Sequence, residues 1–354
     1  MRALLGFFCA ALLISAVAAE DSALPAEASG DEKESPWLLV PTASVDPKLG
    51  NSLGLMGGYI HRFDVASTPS MFIATASKSD NDSVILGLFG QMFFDEDRQK
   101  LVLGVFGGEI NNDYDDFLGS GIPAQTTDDL EAYVARYLHQ LEGDWYLGGQ
   151  VISTNYTIGA DDFFDEILDF IGLTGFDSTG IGLVAEYDTR DNLRNPMAGE
   201  FFNAHNIAYR ESLGGDESFD VYTAKYSQYR EFRPGHLLAM EVKGRWTHDA
   251  PIGGYSSVDL RGYVRGNYLA PNYSHFQVED RIRFSERWGM SVFGGVGCLY
   301  DGFSDCGRSD SLYAMLGGGA IFTLKPDAGI VVRAEVAKGE SDEYFGYISL
   351  GNPF

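Results

Sequence analysis

Alternation of apolar and polar residues with a period of two recurs along this 354-residue chain, and it limits the possible folds more than any other feature. In residues 237–246, Leu238 and Met240 share one face of an extended segment, because successive side chains of a strand point to opposite faces. The other face carries Glu241 and Lys243. Charges of both signs in the middle of a strand require water on that side. The pattern therefore predicts strands with one apolar face and one wet face.

The number of such segments and the lengths of their connections predict a barrel rather than a soluble sandwich. Sixteen strands are predicted, at 37–45, 52–62, 70–79, 82–93, 100–110, 129–139, 144–154, 177–188, 199–209, 216–229, 236–247, 276–286, 289–298, 311–322, 328–338 and 343–351. Most connections after the even-numbered strands are short, whereas four of the others are long, at 111–128, 155–176, 248–275 and 299–310. An even strand number with short turns at one end and long loops at the other is typical of bacterial outer-membrane barrels. The prediction is an all-β, 16-stranded antiparallel transmembrane β-barrel with long extracellular loops, short periplasmic turns and both termini in the periplasm.

In such a barrel the charged faces of the strands line the lumen. We therefore expect a set of charges that face the lumen. These charges lie on three predicted strands, 236–247, 276–286 and 328–338, and they are Glu241, Lys243, Arg245, Arg281, Arg283, Arg333 and Glu335.

The composition excludes two other classes of protein. Asp and Glu number 51 against 25 Lys and Arg, which gives a formal net charge of −26, and a chain this acidic lacks the basic footprint that binds nucleic acid. The mean hydropathy of −0.11 argues against a helical membrane protein. The predicted outer loops 111–128 and 155–176 contain acids but no Lys or Arg, so if they face outward they repel anionic lipopolysaccharide unless divalent cations bridge them. Residues 161–171 form either a short amphipathic helix or a mobile loop with one apolar cluster.

The N-terminus predicts export. Arg2 precedes a short apolar stretch with small residues before a cleavage point at Ala19, which is the pattern of a secretory signal peptide. We expect a signal peptide at 1–19, a flexible acidic periplasmic leader at 20–36 and an outer-membrane β-barrel at 37–354. The predicted location is the outer membrane of a Gram-negative bacterium.

Two cysteines remain after removal of the signal peptide, Cys298 and Cys306. Their spacing permits a disulfide that closes a small loop, and the exported compartment permits oxidation. Two free thiols are the alternative. Both interpretations are structural, since nothing beside these residues indicates metal or nucleophilic chemistry.

The last residues form a final amphipathic strand. Tyr344, Ile348 and Leu350 share one face, and the chain ends on Phe354. A final strand with a terminal Phe resembles the signal by which the outer-membrane assembly machinery recognises its clients. We therefore expect contact with that machinery during biogenesis.

Two further segments carry motifs. The segment EYDTRDNLRNPMAGEFF at 186–202 contains a turn motif formed by Asp188, Arg190, Asp191, Asn192, Pro196 and Gly199. The segment DLRGYVRGNY at 259–268, in the longest loop, contains a tetrad formed by Leu260, Arg261, Gly262 and Tyr263. These motifs resemble the periplasmic turn and the sixth extracellular loop of the BamA/TamA-type assembly-factor superfamily, also called bacterial surface antigen barrels. The resemblance covers the barrel from Trp37 to Phe354.

The resemblance implies that the sixth loop folds back into the lumen. Arg261 would pair there with acids of the inner wall, and Glu279 is its candidate partner. The family places a second acid on the next strand, where this chain has Gly295, so the loop is expected to have one acidic partner fewer. The family's best-known members also carry periplasmic POTRA modules. Between Ala19 and Trp37 there are too few residues for one, so a barrel-only member is expected.

Two functions are open at this point. The first is a role in assembly or translocation of outer-membrane proteins or lipids, as the resemblance implies. The second is a passive or loop-plugged pore, in which Arg261 would hold the plug and the lumen charges would tune permeation. The expected partners are outer-membrane lipids and lipopolysaccharide.

No enzymatic activity and no cofactor or metal are expected. His248-Asp249 stands at the predicted barrel rim, and paired acids occur at Asp115-Asp116, Asp128-Asp129 and Asp161-Asp162. Solvated loop charges explain these groups, since the chain has no nucleophile elbow, metal-spaced histidine pair or phosphate-binding glycine loop.

Overall fold

A computed structural model of the chain describes residues 35–46, 50–114, 124–155, 176–264, 266–326, 329–340 and 344–352. Several sequence predictions lie wholly or mainly outside these residues. They concern the signal peptide, most of the leader, most of the acidic loop 155–176 with its segment 161–171, the pair Asp115-Asp116 and the C-terminal Phe354.

Sixteen strands of the described chain form a closed antiparallel barrel, which confirms the predicted fold. Their bounds are β1 (Trp37–Asp46), β2 (Gly50–His61), β3 (Ser70–Ser79), β4 (Val84–Phe94), β5 (Gln99–Tyr114), β6 (Ala124–Gln140), β7 (Trp145–Thr154), β8 (Ser178–Asp188), β9 (Ala198–Tyr209), β10 (Phe219–Arg233), β11 (His236–His248), β14 (Asn272–Arg283), β15 (Trp288–Tyr300), β16 (Leu312–Lys325), β17 (Ile330–Lys338) and β18 (Phe345–Leu350). Two further strands, β12 (Ser256–Ser257) and β13 (Leu269–Ala270), form a separate hairpin. Each barrel strand pairs with the next along the chain, and β18 pairs with β1.

The two ends of the barrel differ in their connections. The connections after β2, β4, β6, β8, β10, β14 and β16 are turns, and we call this end the short-turn end. β1 begins and β18 ends there. The opposite end, the long-loop end, carries the connections after β5, β7, β11 and β15.

Two strands run farther toward the long-loop end than the alternation predicts. β5 continues to Tyr114 and β6 already begins at Ala124, although polar residues replace apolar ones there. Asn111 pairs with Thr127 in the ladder, and the Thr127 hydroxyl donates to Asn111 Oδ1 at 2.7 Å. Backbone pairing between β5 and β6 therefore continues in a region where neither face of the sheet needs apolar side chains.

The outer face of the barrel is apolar. Leu53, Leu183 and Leu316 are about 70% exposed, at 73%, 69% and 68%. Large aliphatic side chains in such number on the outside of a closed sheet are stable in hydrocarbon rather than in water. The outer face is therefore that of a transmembrane barrel.

Aromatic residues form a belt at the short-turn end. Three of the four tryptophans begin strands at this end, where aromatic girdles of membrane barrels meet the bilayer interface. Each tryptophan packs against a neighbouring strand, in the pairs Trp37–Tyr59, Trp145–Tyr187 and Trp288–Phe322, with ring centroids 4.8, 5.1 and 4.8 Å apart.

The helical elements among the described residues are short 3-10 turns, and none of them is long and apolar enough to cross a membrane. One of these turns follows β15, spans Phe303–Gly307 and contains Cys306. A disulfide joins Cys306 to Cys298 near the end of β15. The bond closes the small loop that the spacing permits.

Candidate functional site in the barrel lumen

The longest described connection folds into the lumen. Residues 249–271 join β11 to β14, and the hairpin of β12 and β13 holds the two ends of this segment together. Between the two hairpin strands, Val258, Leu260, Tyr263 and Val264 are all at most 9% exposed. They pack in one apolar cluster with residues of the barrel wall, including Phe293 and Met315. We call this segment the lumen loop.

Arg261 at the tip of the lumen loop is held by two carboxylates from different strands. Its Nη2 lies 3.1 Å from Glu279 Oε2 on β14, and its Nη1 lies 3.1 Å from Glu335 Oε2 on β17. The guanidinium carbon stands 3.3 Å above the ring centroid of Phe293 on β15. The planar guanidinium satisfies three constraints together, which a lysine ammonium does not.

Two further arginines complete this ion-pair group. Glu279 Oε1 accepts a hydrogen bond from Arg281 Nε at 2.7 Å and another from Arg333 Nη2 at 2.7 Å. Arg333 also donates through Nε to Glu335 Oε1 at 3.1 Å. The five residues are at most 6% exposed, and with two acids and three bases they share a net charge of +1. We call this group, Arg261, Glu279, Arg281, Arg333 and Glu335, the lumen cluster.

The expectation that Arg261 has one acidic partner fewer is wrong. The sequence has Gly295 where a second acid was expected, and Gly295 faces Gln277 across the ladder. A Cβ at Gly295 would lie 2.9 Å from Gln277 Cβ, so this position has little room. The second acid comes instead from Glu335, two strands farther along the barrel.

A glycine on β16 makes this reach possible. Gly319 lies on the strand between β15 and β17. A Cβ on Gly319 would lie 2.7 Å from Glu335 Cγ. The Glu335 side chain can therefore lie across β16, where it also accepts a hydrogen bond from Ser291 Oγ of β15 at 2.7 Å.

The other residues of the tetrad fix the backbone of the lumen loop. Gly262 has φ +89, and a Cβ there would lie 2.7 Å from the backbone nitrogen of Gly339, so only glycine fits. The Gly262 N–H donates to the Tyr347 hydroxyl at 3.1 Å. The Tyr263 hydroxyl donates to the carbonyl of Ala314 at 2.6 Å. Burial raises the pKa of Tyr263 to about 12, so this hydroxyl keeps its proton at neutral pH.

The remaining predicted lumen charges contact the lumen loop, contact the wall, or are exposed at the end of the barrel. Lys243 lies 2.6 Å from Asp259 of the lumen loop, and Arg245 donates to Ser256 Oγ at 3.0 Å. Glu241 contacts His275 Nε2 at 3.0 Å and accepts from Gln277 at 2.9 Å within the wall. Arg283 ends β14 at the short-turn end and is exposed.

The predicted turn motif builds a closed turn between β8 and β9. Arg190 forms two hydrogen bonds with Asp188, at 2.9 and 2.8 Å, and Asp191 Oδ1 accepts from the backbone N–H groups of Met197 and Ala198. Asn192 Oδ1 accepts from two further backbone N–H groups.

The other two motif residues are glycine and proline. Pro196 is buried, and Gly199 has φ +105. The motif therefore has a structural role in the turn.

The turn between β8 and β9 is also connected to the lumen cluster. Asn352 Nδ2 donates to the backbone carbonyl of Arg194 at 2.9 Å, and Asn352 Oδ1 accepts from Arg333 Nη1 at 2.7 Å. Arg194 contacts the carbonyl of Pro69 in another turn of the same end. This turn therefore lies across part of the short-turn end.

The final strand has the predicted faces. Tyr344 is exposed, Ile348 and Leu350 are partly exposed, and Phe345 and Tyr347 between them are buried. The outward residues are thus those of the predicted assembly signal, apart from Phe354.

The histidine and acid groups at the predicted rim are exposed where the structure describes them. His248 and Asp249 contact each other at 3.3 Å, with side chains 73% and 79% exposed. Asp129 is exposed, and the pairs Asp115-Asp116 and Asp161-Asp162 lie outside the described residues. No group of three or more metal-ligating side chains occurs in the part of the chain that the structure describes.

The sequence analysis missed a second polar group on the opposite part of the wall. Lys100 of β5 lies 2.7 Å from Glu186 of β8, and both are buried. Alternation would place both side chains inward, but the distance between β5 and β8 in the sequence gave no sign that they meet.

The seam that closes the barrel is short. Within the described residues, β1 and β18 are joined by two residue pairs, Ser44–Tyr347 and Val45–Gly346. Ten pairs join β1 to β2, and six join β17 to β18. Pro41 lies in the part of β1 without a partner on β18, and proline is found mainly at sheet edges because it has no N–H to donate.

Comparison with known proteins gives similarity of fold. No family model and no curated protein matches the sequence. Among solved structures, BamA from Haemophilus ducreyi lacking POTRA domains 1–3 aligns with a TM-score of 0.53 and 12% identity, over 90% of this chain and 70% of that chain.

Two CdiB structures are also similar. CdiB from Acinetobacter baumannii aligns with a TM-score of 0.59 and 10% identity, over 89% of this chain and 59% of that chain. CdiB from Escherichia coli aligns with a TM-score of 0.59 and 10% identity, over 93% of this chain and 64% of that chain. The chain thus spans about three fifths of the length of the CdiB chains. Its sixteen-stranded barrel is similar in fold to these outer-membrane barrels.

Proposed function

We propose that this protein is an outer-membrane barrel that assembles or translocates other outer-membrane proteins or lipids through its β1–β18 seam. The short seam is the observation that carries the proposal. Opening two residue pairs exposes two strand edges at a smaller loss of hydrogen bonds than opening any fully paired junction of this barrel. An exposed edge is a template for a client strand.

The lumen cluster supports this function by cross-linking the strands from β14 to β17. It connects β14, β17 and the lumen loop through Glu279 and Glu335, and Arg261 packs on β15. Movement is therefore directed to the seam, where pairing is weakest. Outer-membrane lipids and lipopolysaccharide are the proposed surroundings of the outer face, with both termini in the periplasm.

A cross-link across the seam tests the proposal. The double variant Val45→Cys/Gly346→Cys places cysteines at a register pair of β1 and β18. Oxidation should slow the folding of a small outer-membrane barrel client into liposomes that contain this protein, and reduction should restore the rate.

The matched control cross-links an ordinary junction. Leu55→Cys/Ala76→Cys joins a register pair of β2 and β3, and it controls for reduction of the native disulfide as well. Equal client folding with the seam closed or open would refute the proposed function, as would the absence of any acceleration by the wild type.

A loop-plugged pore is the second candidate, and the burial of charge along the lumen wall favours it. Arg333, Glu279 and Glu335 are at most 2% exposed because the lumen loop and their mutual pairs cover them. If the loop is a plug, its removal should open a polar path.

Conductance distinguishes the two candidates. In planar lipid bilayers we expect near-zero conductance for wild type and an increase for Arg261→Ala, because the loop loses both carboxylate contacts. Arg308→Ala, which removes an exposed arginine paired with Asp310, should behave as wild type. Near-zero conductance for Arg261→Ala as well would exclude the plugged pore.

A further inference from the structure

The turn between β8 and β9 starts on the side of the barrel opposite the seam. Seven strand junctions separate β8 from β1 in one direction around the ring, and seven separate β9 from β18 in the other direction. The turn consists of residues 189–197, and its contacts nevertheless reach both flanks of the seam. It therefore crosses the mouth of the barrel at the short-turn end. We call these residues the strap.

On one flank of the seam, the strap contacts the connection between β2 and β3. Arg194 Nη2 of the strap donates to the backbone carbonyl of Pro69 in this connection at 2.5 Å. β2 in turn is paired with β1 through ten residue pairs. The Arg194 side chain therefore joins the strap to the β1 side of the seam.

On the other flank, the strap contacts the segment that follows β18. Asn352 lies two residues after the end of β18, and its Nδ2 donates to the backbone carbonyl of Arg194 at 2.9 Å and to Asn195 Oδ1 at 3.1 Å. The amide oxygen of Asn352 accepts from Arg333 Nη1 at 2.7 Å. The Asn352 side chain therefore joins the strap to the β18 side of the seam and to the lumen cluster.

The middle of the strap lies against the barrel wall. Asn192 stands so close to Gly329, in the connection between β16 and β17, that a Cβ on Gly329 would lie 2.5 Å from Asn192 Oδ1. Leu193 lines the same lumen cavity as Phe93 of β4. The strap is thus held by strands from both sides of the mouth.

The strap contacts the part of the seam where the ladder is missing. The two residue pairs of the seam involve Ser44 and Val45, near the end of β1 that is farther from the short-turn end. Closer to the short-turn end, the described residues of β1 have no ladder partner on β18, although Val40 packs in one apolar cluster with Leu350. Apolar packing is not directional. Hydrogen bonds from the strap are therefore the directional contacts that fix the two flanks there.

We propose that the strap holds the seam closed at the short-turn end, with Arg194 and Asn352 as its positioning residues. Loss of either side chain separates the strap from one flank and lets the seam open from this end. A hydrogen bond contributes little net stability, because water replaces it, so the strap can be released without unfolding the barrel. The inference rests on the proposed function, since it names what keeps the same seam closed.

Pulsed electron paramagnetic resonance in liposomes measures seam opening directly. Spin labels at Leu39→Cys on β1 and Ala320→Cys on β16 stand at exposed positions on the two sides of the seam. In this doubly labelled protein, Arg194→Ala and Asn352→Ala should each add a population about 5 Å longer, which is the spacing of one strand. The native cysteines form a disulfide and take no label.

A second label pair shows whether the change is confined to the seam. Leu55→Cys on β2 and Val105→Cys on β5 are exposed and also span three strand junctions, none of which is the seam. Their distance should stay the same in every variant. Arg98→Ala is the matched control substitution, because it removes an exposed arginine of another short turn that pairs with Asp95 of its own turn. It should leave the seam distance unchanged.

The client-folding assay on the same variants separates this inference from the proposed function. A longer seam distance with faster client folding supports both, whereas a longer distance without faster folding supports the strap and counts against the assembly function. Heat-modifiable migration on gels shows that each variant is folded, and either Arg194→Ala or Asn352→Ala alone suffices. An unchanged seam distance in a folded variant, or equal lengthening at the second label pair, would overturn the proposed role of the strap.

Discussion

At the scale of single residues, the lumen loop depends on one arginine and two glutamates. Arg261 and Glu279 could be predicted from the sequence, because the loop tetrad marks the first and strand alternation points the second inward. Glu335 could be predicted as a lumen residue but not as the partner of Arg261. Its reach across β16 depends on the absence of a side chain at Gly319, which no pattern of period two reveals.

Glu279 is the residue whose loss should affect stability most. It is fully buried and accepts hydrogen bonds from Arg261, Arg281 and Arg333. Glu279→Gln leaves three buried guanidinium groups with one carboxylate, and removing one partner of a buried ion pair costs about 3–5 kcal/mol. We expect a decrease of this size in the free energy of unfolding, measured by urea titration in detergent with tryptophan fluorescence.

A surface glutamate provides the control for this prediction. Glu217→Gln alters an exposed position between β9 and β10 and should change the free energy of unfolding by less than about 0.5 kcal/mol. Trypsin adds a second readout, because a released lumen loop exposes Arg261 to cleavage. Wild-type stability and wild-type trypsin resistance of Glu279→Gln would show that the lumen cluster does not hold the loop.

At the scale of elements, the strands were predictable and the course of the connections was not. Alternation sets the strands because one face meets hydrocarbon and the other meets the lumen. It fails at the ends of β5 and β6, where pairing continues without an apolar face. It also says nothing about residues 249–271, whose inward course depends on contacts with β14, β15 and β17 that are distant in the sequence.

Asp280 on β14 does not fit the alternation of apolar and polar residues, and its position near the end of the strand explains why. Asp280 lies on the outer face of β14, where a carboxylate in the middle of a bilayer would be costly. It stands three residues before the end of the strand, at Arg283, and His236 Nδ1 lies 3.0 Å away at the start of β11. The carboxylate is therefore near the short-turn end and has a local partner.

At the scale of the whole molecule, the barrel is uneven around its circumference. The lumen cluster stabilises one part of the wall, and the seam between β1 and β18 is held by two pairs within the described residues. A closed sheet normally has no unpaired strand edge. At this seam, however, most residues of β1 have no partner on β18. The proposed assembly function depends on this difference.

Orientation in the membrane is the prediction that belongs to the whole molecule. The aromatic belt and both described chain ends lie at the short-turn end, and we expect this end to face the periplasm. A cysteine in place of Glu217, between β9 and β10, should react with a membrane-impermeant maleimide in intact cells. A cysteine in place of Glu142, in the turn between β6 and β7, should react only after permeabilisation. The native cysteines form a disulfide and stay unlabelled. Labelling of position 142 but not 217 in intact cells would reverse the orientation and place the short turns outside.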